Sequence, residues 1–117
     1  MGKTCTSGDT RPLTEGQLQD KIRLALGDIK GLCLWRNNSG LADVRGHKIR
    51  YGVGNPGGAD LIGIYLGRFV AVEIKTPIGR LSVEQRRFRD LVVSLGGIYI
   101  VLRSVDEAKE FADALVS

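Results

Sequence analysis

Two apolar runs on either side of Leu66 and Gly67 constrain the fold of this chain more than any other feature. The runs, ADLIGIY over 59–65 and RFVAVEIK over 68–75, are rich in β-branched residues and apolar on both faces. That pattern is typical of buried central strands. The two residues between the runs suit a hairpin turn. We therefore predict an antiparallel pair of strands at the centre of a sheet.

Helices are predicted on either side of this hairpin. Three segments begin with a Ser or Thr that is followed three residues later by Gln or Glu, the signature of a capping box, at Thr14, Ser82 and Ser104. Further strands are predicted at 32–36 and 98–102. The predicted order is therefore α-β-β-β-α-β-α. A helical crossover implies a parallel strand pair, so we expect an α/β fold with a mixed central sheet flanked by helices.

The chain of 117 residues suits one domain. Residues 1–13 are polar and are expected to form a flexible tail, which leaves 14–117 as a single domain. Residues 36–58 contain six glycines and should hold little regular structure, although 44–51 could form a ribbon. Ile49, Tyr51 and Val53 alternate there, as in a strand with one apolar face.

Several classes of protein are excluded by composition. No apolar run reaches the roughly 18 residues of a membrane span, and the first residues lack the apolar region of a signal peptide. Two cysteines cannot build a disulfide framework, and Cys33 lies in an apolar run that predicts a buried, reduced thiol. We therefore expect a cytoplasmic protein with no membrane partner.

The basic residues are clustered rather than evenly spread. The net charge is +4, but residues 36–50 hold four Lys or Arg against one Asp, and residues 80–89 hold four Arg against one Glu. A single charge cluster usually forms a solvated face. Two clusters that flank the central hairpin favour a polyanionic partner such as nucleic acid.

Glu73 and Lys75 are anomalous because they lie in a strand whose pattern is otherwise that of a buried one. Both side chains project from one face, since strand residues alternate. If Leu66 and Gly67 form the turn, Tyr65 faces Arg68 and Asp60 falls opposite Glu73. Two opposed carboxylates are destabilising unless a cation lies between them. A divalent metal ion would remove the conflict.

Such a site would consist of hard oxygen ligands, which suit Mg²⁺ or Mn²⁺ rather than Zn²⁺. Lys75, beside the metal, could orient a water molecule or neutralise charge on a phosphate. The alternative is an ion pair of Lys75 with Asp60 or Glu73 at the end of the sheet. The basic clusters favour the metal site.

These residues resemble a known family. Gly58-Ala59-Asp60, then Glu73-Ile74-Lys75, then Gln85 in the next helix resembles the PD-(D/E)XK nuclease superfamily, whose core has the αβββαβ order. Over roughly residues 14–105 the chain is most similar to the VRR-NUC family within it. The shared features include the glycine-rich approach to Asp60 and the Ser-x-x-Gln helix start. Ala59 stands where many members have Pro, a difference that the superfamily tolerates.

The resemblance implies a role for each matching position. Asp60 and Glu73 would bind the metal, with the backbone carbonyl of Ile74 as a third ligand, and Lys75 would be the catalytic lysine. Gln85 would reach the site from its helix. Glu15 matches a glutamate that several members add to the metal site.

The expected function is that of a Mg²⁺- or Mn²⁺-dependent DNA endonuclease, and the resemblance implies products with a 5′-phosphate and a 3′-hydroxyl. Stand-alone members of the family resemble dimeric resolvases of branched DNA such as Holliday junctions, so a homodimer is expected. A catalytically inactive DNA-binding module and a small α/β domain that binds a protein or nucleotide remain alternatives. The residues expected to hold DNA phosphates are Arg45, Lys48, Arg50, Arg80, Arg86 and Arg87.

Overall fold

The computed structural model describes residues 13–117, so the predicted tail lies almost wholly outside the described residues. The elements in this range are α1 (Glu15–Leu26), β1 (Leu32–Arg36), β2 (Gly40–Val44), β3 (His47–Tyr51), β4 (Leu61–Tyr65), β5 (Arg68–Ile74), α2 (Val83–Ser94), β6 (Ile98–Leu102) and α3 (Val105–Val116).

Four strands form the main sheet in the order β1-β4-β5-β6. The pairs β1–β4 and β4–β5 are antiparallel, whereas β5 and β6, which α2 connects, are parallel. The predicted mixed sheet is therefore confirmed. The remaining strands, β2 and β3, form a separate hairpin within the glycine-rich segment. The ribbon there is longer than predicted, since it begins at Gly40.

The β4–β5 hairpin has the predicted register. Tyr65 pairs with Arg68 and Leu61 with Val72. Leu66 and Gly67 have φ angles of 49° and 87°, which match the two left-handed positions of a tight hairpin turn. The same register, continued by one residue beyond Leu61, sets Asp60 opposite Glu73.

The two faces of the sheet differ in what covers them. One face packs on α1 and α3 to form the core. The other face carries α2 and the Glu73 side chain. The buried core residues are Leu18, Ile22, Leu26, Leu61, Val70, Val72, Ile74, Leu102, Ala108 and Phe111.

The edge strand β1 leaves part of the second face open. Cys33 is exposed there rather than buried, because its partner is Ile64 on the uncovered face and Ile64 is itself 48% exposed. The prediction of a buried thiol was therefore wrong. Within α2, only Val92 is fully buried, whereas Leu91 is 54% exposed.

The predicted helix starts hold with one difference. Thr14 and Ser82 form complete capping boxes with Gln17 and Gln85. Ser104 accepts from the backbone of Glu107, but the Glu107 carboxylate accepts from the backbone N–H of Arg103 instead of reaching the cap. None of the helices in residues 13–117 is long and apolar enough to cross a bilayer. The cytoplasmic location stays a prediction.

Gly63 provides a test of the sheet packing. It lies in β4 next to β1, and a Cβ atom added to it would collide with the carbonyl oxygen of Cys33. Gly63→Ala should lower the free energy of unfolding by about 1–3 kcal/mol, the usual cost of overpacking a core. The control is Gly16→Ala in α1, where no atom lies within 4 Å of the added Cβ. Because Ala favours helix, that variant should be at least as stable as the wild type. Urea unfolding measures both, and a Gly63→Ala protein as stable as Gly16→Ala would contradict the packing described.

Candidate functional site

The Asp60 carboxylate is held against β5 at the open end of the β4–β5 hairpin. Its Oδ2 accepts a hydrogen bond from the backbone N–H of Ile74 at 2.8 Å. The backbone carbonyl of Asp60 accepts from the N–H of Asn37, also at 2.8 Å, which extends the β1–β4 pairing by one residue. Backbone on both neighbouring strands therefore fixes the position of Asp60.

Glu73 is almost fully buried, with 2% of its surface exposed. Its Oε2 accepts from Nε2 of Gln85 at 3.1 Å and lies 3.7 Å from Nζ of Lys75. Its Oε1 is buried and has no hydrogen-bond partner among the described residues. Because buried polar atoms are nearly always paired, the free oxygen indicates a position for a further ligand.

The environment of Glu73 opposes its ionisation. Burial raises the pKa of the Glu73 carboxyl most, and the nearby charge of Asp60 raises it further, as does the hydrogen bond that a protonated Glu73 can donate to the Asp60 carboxylate. Lys75 acts in the opposite direction, and the resulting pKa is about 8. Below about pH 8, and without a further cation, the surrounding protein therefore favours the protonated form of Glu73.

Lys75 makes the ion pair that was the alternative to a metal site. Its side chain is 15% exposed and its ammonium group approaches Oε2 of Glu73. That contact leaves Oε1 of Glu73 unpaired and places no cation directly on Asp60 in the residues the structure describes. The ion pair is therefore present, but it does not pair every oxygen of the two carboxylates.

The Gln85 side chain makes two kinds of contact: it caps the start of α2, and it also donates a hydrogen bond to Glu73. Its Oε1 accepts from the backbone N–H of Ser82 and its own N–H donates to the Ser82 hydroxyl, which completes the capping box. Its Nε2 remains free for Glu73. One side chain therefore joins the start of α2 to the buried carboxylate.

The carboxylates lie in an open cleft of about 460 Å³. Glu15, at the start of α1, is exposed and lines the same cleft, and its charge contributes to the raised pKa of Glu73. No group of three His, Cys, Asp or Glu residues within 13–117 has the arrangement of a metal site. Glu15 is thus near the pair without completing a three-carboxylate cluster. A larger groove of about 580 Å³ between α1 and β1 lies away from these residues.

The backbone carbonyl of Ile74 faces the same end of the hairpin. The N–H of Ile74 points towards β4, where Asp60 accepts it, and the next N–H, of Lys75, donates to Leu102 of β6. Since the N–H and C=O of one strand residue point to the same side, the Ile74 carbonyl points towards Asp60.

The structure brings only some of the predicted basic residues to the carboxylates. Arg50 lines the cleft, whereas Lys48 pairs with Asp43 at 3.2 Å on the β2–β3 hairpin, whose turn contains Arg45. Three further arginines lie at the start of α2 or just before it. Of these, Arg86 donates to the carbonyl of Leu81, Arg87 lines a groove beside Phe88, and Arg80 is exposed.

Asn37 is a supporting residue that sequence reasoning did not single out. Its Nδ2 donates to the carbonyls of Val53 at 2.8 Å and Ala59 at 2.9 Å, and its Oδ1 accepts from the N–H of Val53. It therefore ties the glycine-rich segment to the residue just before Asp60. In the sequence it belongs to the run that resembles the VRR-NUC family, but no role was predicted for it.

Tyr99 and Arg103, on and just after β6, were also missed. The Tyr99 hydroxyl is buried without a hydrogen-bond partner in the described range, and burial together with the Glu73 charge raises its pKa. Arg103 donates from Nη1 to the carbonyls of Thr76 and Gly79, in the turn that follows Lys75. Neither contact follows from local sequence, because each joins segments more than 20 residues apart.

Comparison with known proteins relates this geometry to one fold. No family model matches the sequence, and no curated protein matches it significantly. A solved structure described as a VRR_NUC domain superposes with a TM-score of 0.59 at 18% identity, over 85% of this chain and 94% of that one. The chain has the fold of a VRR_NUC domain. This confirms the restriction-endonuclease-like architecture expected from the resemblance.

A second structural match is weaker. A crystal structure of a Vibrio cholerae protein matches with a TM-score of 0.38 and 12% identity, over 86% of this chain and 32% of that one. A score this low does not indicate a shared fold.

The raised pKa of Glu73 predicts how stability depends on pH. In metal-free buffer the free energy of unfolding should fall as pH rises from about 4.5 to about 8. The reason is that unfolded Glu73 loses its proton near its ordinary pKa, whereas the folded protein holds the proton until the higher value. The loss is fully present above pH 8 and absent below pH 4.5, and should amount to a few kcal/mol.

The variant Glu73→Gln isolates this effect, because its amide can still accept from Gln85 but cannot ionise. Urea unfolding across this pH range should give a flatter profile for Glu73→Gln than for the wild type. Glu110→Gln, on the exposed side of α3, is the matched control and should keep the wild-type slope. Parallel profiles for wild type and Glu73→Gln would contradict the assigned environment.

Proposed function

We propose that this protein is a metal-dependent DNA endonuclease that hydrolyses phosphodiester bonds and prefers branched DNA. The observation that carries the proposal is the free, buried Oε1 of Glu73, which lies opposite Asp60 and beside Lys75. The VRR_NUC-like fold supports a nuclease, since the solved neighbour is described by that name.

The residues of the cleft fit a hard divalent cation. Two carboxylates face each other across the hairpin, one of their oxygens is buried without a partner, and the Ile74 carbonyl points to the same place. All three are oxygen donors, which suit Mg²⁺ or Mn²⁺. Asp60, Glu73 and the Ile74 carbonyl would hold the ion, and Glu15 is the residue that could add to the set. The bound ion would supply Lewis-acid activation of water and of the phosphate.

The protein residues around the ion have separate roles. Gln85 holds Oε2 of Glu73, which leaves Oε1 for another partner. Lys75 brings a positive charge to the site, and that charge would offset the extra negative charge that develops on the phosphate during attack by water. Its partly buried stem keeps the ammonium group close to Glu73.

The basic residues are proposed to hold the sugar-phosphate backbone. Arg50 lies in the cleft, and Arg80, Arg86 and Arg87 lie around the start of α2, which lines the cleft with Ser82, Glu84 and Gln85. Because phosphate contacts position DNA without reading its bases, we infer selection by DNA shape rather than by sequence. Affinity should fall steeply with salt. The proposed phosphate-binding set remains Arg45, Lys48, Arg50, Arg80, Arg86 and Arg87.

A DNA-binding module without catalysis is the second candidate, and the Glu73–Lys75 ion pair favours it. In such a module Lys75 alone would balance Glu73, and no cation would be needed. A small α/β domain that binds a protein or nucleotide would use the same ion pair. Metal binding at Asp60 separates these candidates from the nuclease.

Asp60→Asn tests the nuclease. The amide can still accept from the N–H of Ile74, so the fold should persist while one charge leaves the site. Calorimetry with Mn²⁺ should show binding to the wild type and none to Asp60→Asn. On a panel of duplex, flap and four-way DNA, wild-type cleavage should need Mg²⁺ or Mn²⁺ and stop with chelator. Cleavage by Asp60→Asn should be at least about a hundredfold slower, since the ion supplies several kcal/mol of transition-state stabilisation.

The control is Asp113→Asn, which removes the same charge from the exposed side of α3 and should bind Mn²⁺ and cleave normally. DNA binding without Mn²⁺ binding by the wild type would favour the inactive module.

We further propose that the protein acts as a homodimer, because paired cuts in a branched duplex need two sites. Apolar side chains remain open on two surfaces. On the β2–β3 hairpin and just after it, Ile49, Tyr51 and Val53 are about half exposed, and Trp35 is 51% exposed on the open face of the sheet. An isolated two-stranded hairpin is only marginally stable in water, which favours a partner surface for it.

Sedimentation at micromolar concentration should give twice the chain mass of 12.7 kDa. Ile49→Lys should produce the monomer mass, because it places a charge within the apolar contact. Leu24→Lys, at a side chain 80% exposed on α1, should remain dimeric. A wild-type monomer that nicks single strands independently would rule out the dimeric resolvase.

A further inference from the structure

Ile78 stands at the tip of the turn that follows Lys75. It is 91% exposed, the highest value of any large apolar side chain among residues 13–117. An isoleucine in this position contributes almost nothing to the core. Single exposed apolar residues are common on protein surfaces, so the surroundings of Ile78 must decide whether it has a role.

The turn that carries Ile78 is anchored from two directions. Within the turn, the N–H of Gly79 donates to the carbonyl of Thr76 at 3.0 Å, and Pro77 restricts the backbone between them. From β6, Nη1 of Arg103 donates to the same Thr76 carbonyl at 2.8 Å and to the Gly79 carbonyl at 2.5 Å. The apolar tip is therefore presented by a constrained backbone, and placing it against a ligand would cost little conformational entropy.

The turn lies directly beside the proposed catalytic residues. A Cβ atom added to Gly79 would be 3.4 Å from Cδ of Lys75, so the turn passes close to the lysine stem. Arg80, exposed, comes directly after the turn, and Ser82 then starts the helix that carries Gln85. Ile78 thus lies on the connection between two residues that line the cleft, Lys75 and Ser82, with the exposed cation of Arg80 two residues away.

Apolar side chains that project beside cations can enter DNA between neighbouring bases. Proteins use isoleucine, leucine and similar wedges in this way, and they must supply the energy of unstacking the bases. At a branch point, stacking is already interrupted, so insertion there is less costly than in a continuous duplex.

We propose that Ile78 is a wedge that enters the interrupted base stack at a DNA branch point and so gives the enzyme its preference for branched over continuous duplex DNA. This inference rests on the proposed endonuclease function and names the element that selects the substrate. Phosphate contacts hold both kinds of DNA, whereas only branched DNA accepts the wedge at low cost.

The test uses a four-way junction with 2-aminopurine at the branch point and a continuous duplex with the same base at the same sequence position. Binding is measured with Ca²⁺ in place of Mg²⁺, so that the strands stay intact. The wild type should brighten 2-aminopurine in the junction and bind the junction more tightly than the duplex. Ile78→Ala should lose the brightening and reduce the ratio of junction to duplex affinity by about tenfold or more, in line with the apolar area that alanine no longer buries.

Leu24→Ala is the matched control, since Leu24 is also highly exposed but lies on α1 and lines the groove away from the site. Both readouts should remain at the wild-type level. If Ile78→Ala keeps the brightening and the affinity ratio while the wild type cleaves DNA in Mg²⁺, the wedge is wrong and the nuclease stands. If Ile78→Ala instead alters the sedimenting mass, Ile78 is a subunit contact and the wedge is again wrong. A wild type that binds neither DNA overturns the wedge and the proposed function together.

Discussion

The opposition of Asp60 and Glu73 across one end of the β4–β5 hairpin is the constraint on which the rest of the site depends. Two carboxylates in this arrangement repel each other, and burial removes the water that would otherwise weaken the repulsion. Burial itself raises the pKa of Glu73 most, and with the added effect of the Asp60 charge it reaches about 8. The surrounding groups hold these two carboxyl groups and the chain next to them in place.

The groups that support Asp60 and Glu73 come from several separate elements of the fold. Gln85 reaches Glu73 from α2, Asn37 fixes the chain before Asp60 from β1, and Arg103 holds the turn after Lys75 from the end of β6. None of these contacts supplies a ligand for the free oxygen of Glu73. The protein therefore holds two carboxyl groups in place with too little positive charge to keep both ionised at neutral pH, so Glu73 retains its proton unless a further cation is bound.

The central part of this arrangement could be predicted from sequence because it depends on local rules. A two-residue turn at Leu66 and Gly67 sets the register, and strand alternation then places Asp60 and Glu73 together. The exposure of Cys33 could not be predicted, since it depends on how far α2 extends across the sheet. The contacts of Asn37 and Arg103 join segments distant in sequence and have no local signature. The length of the β2–β3 hairpin was underestimated because its strands are exposed and lack a buried pattern.

The position of β6 in the sheet determines when the site can form during translation. The residues proposed to bind metal and DNA lie between Glu15 and Arg87, and ribosomes synthesise all of them before β6 and Arg103. Yet β5 becomes an interior strand only when β6 pairs with it, and the backbone of Lys75 donates to Leu102 in the last position of that strand. A nascent chain that ends before β6 therefore contains the whole set of reactive side chains without the scaffold that aligns them. Assembly of the site is therefore delayed until β6 has been synthesised and has paired with β5, so the two carboxyl groups are aligned only in the nearly complete chain.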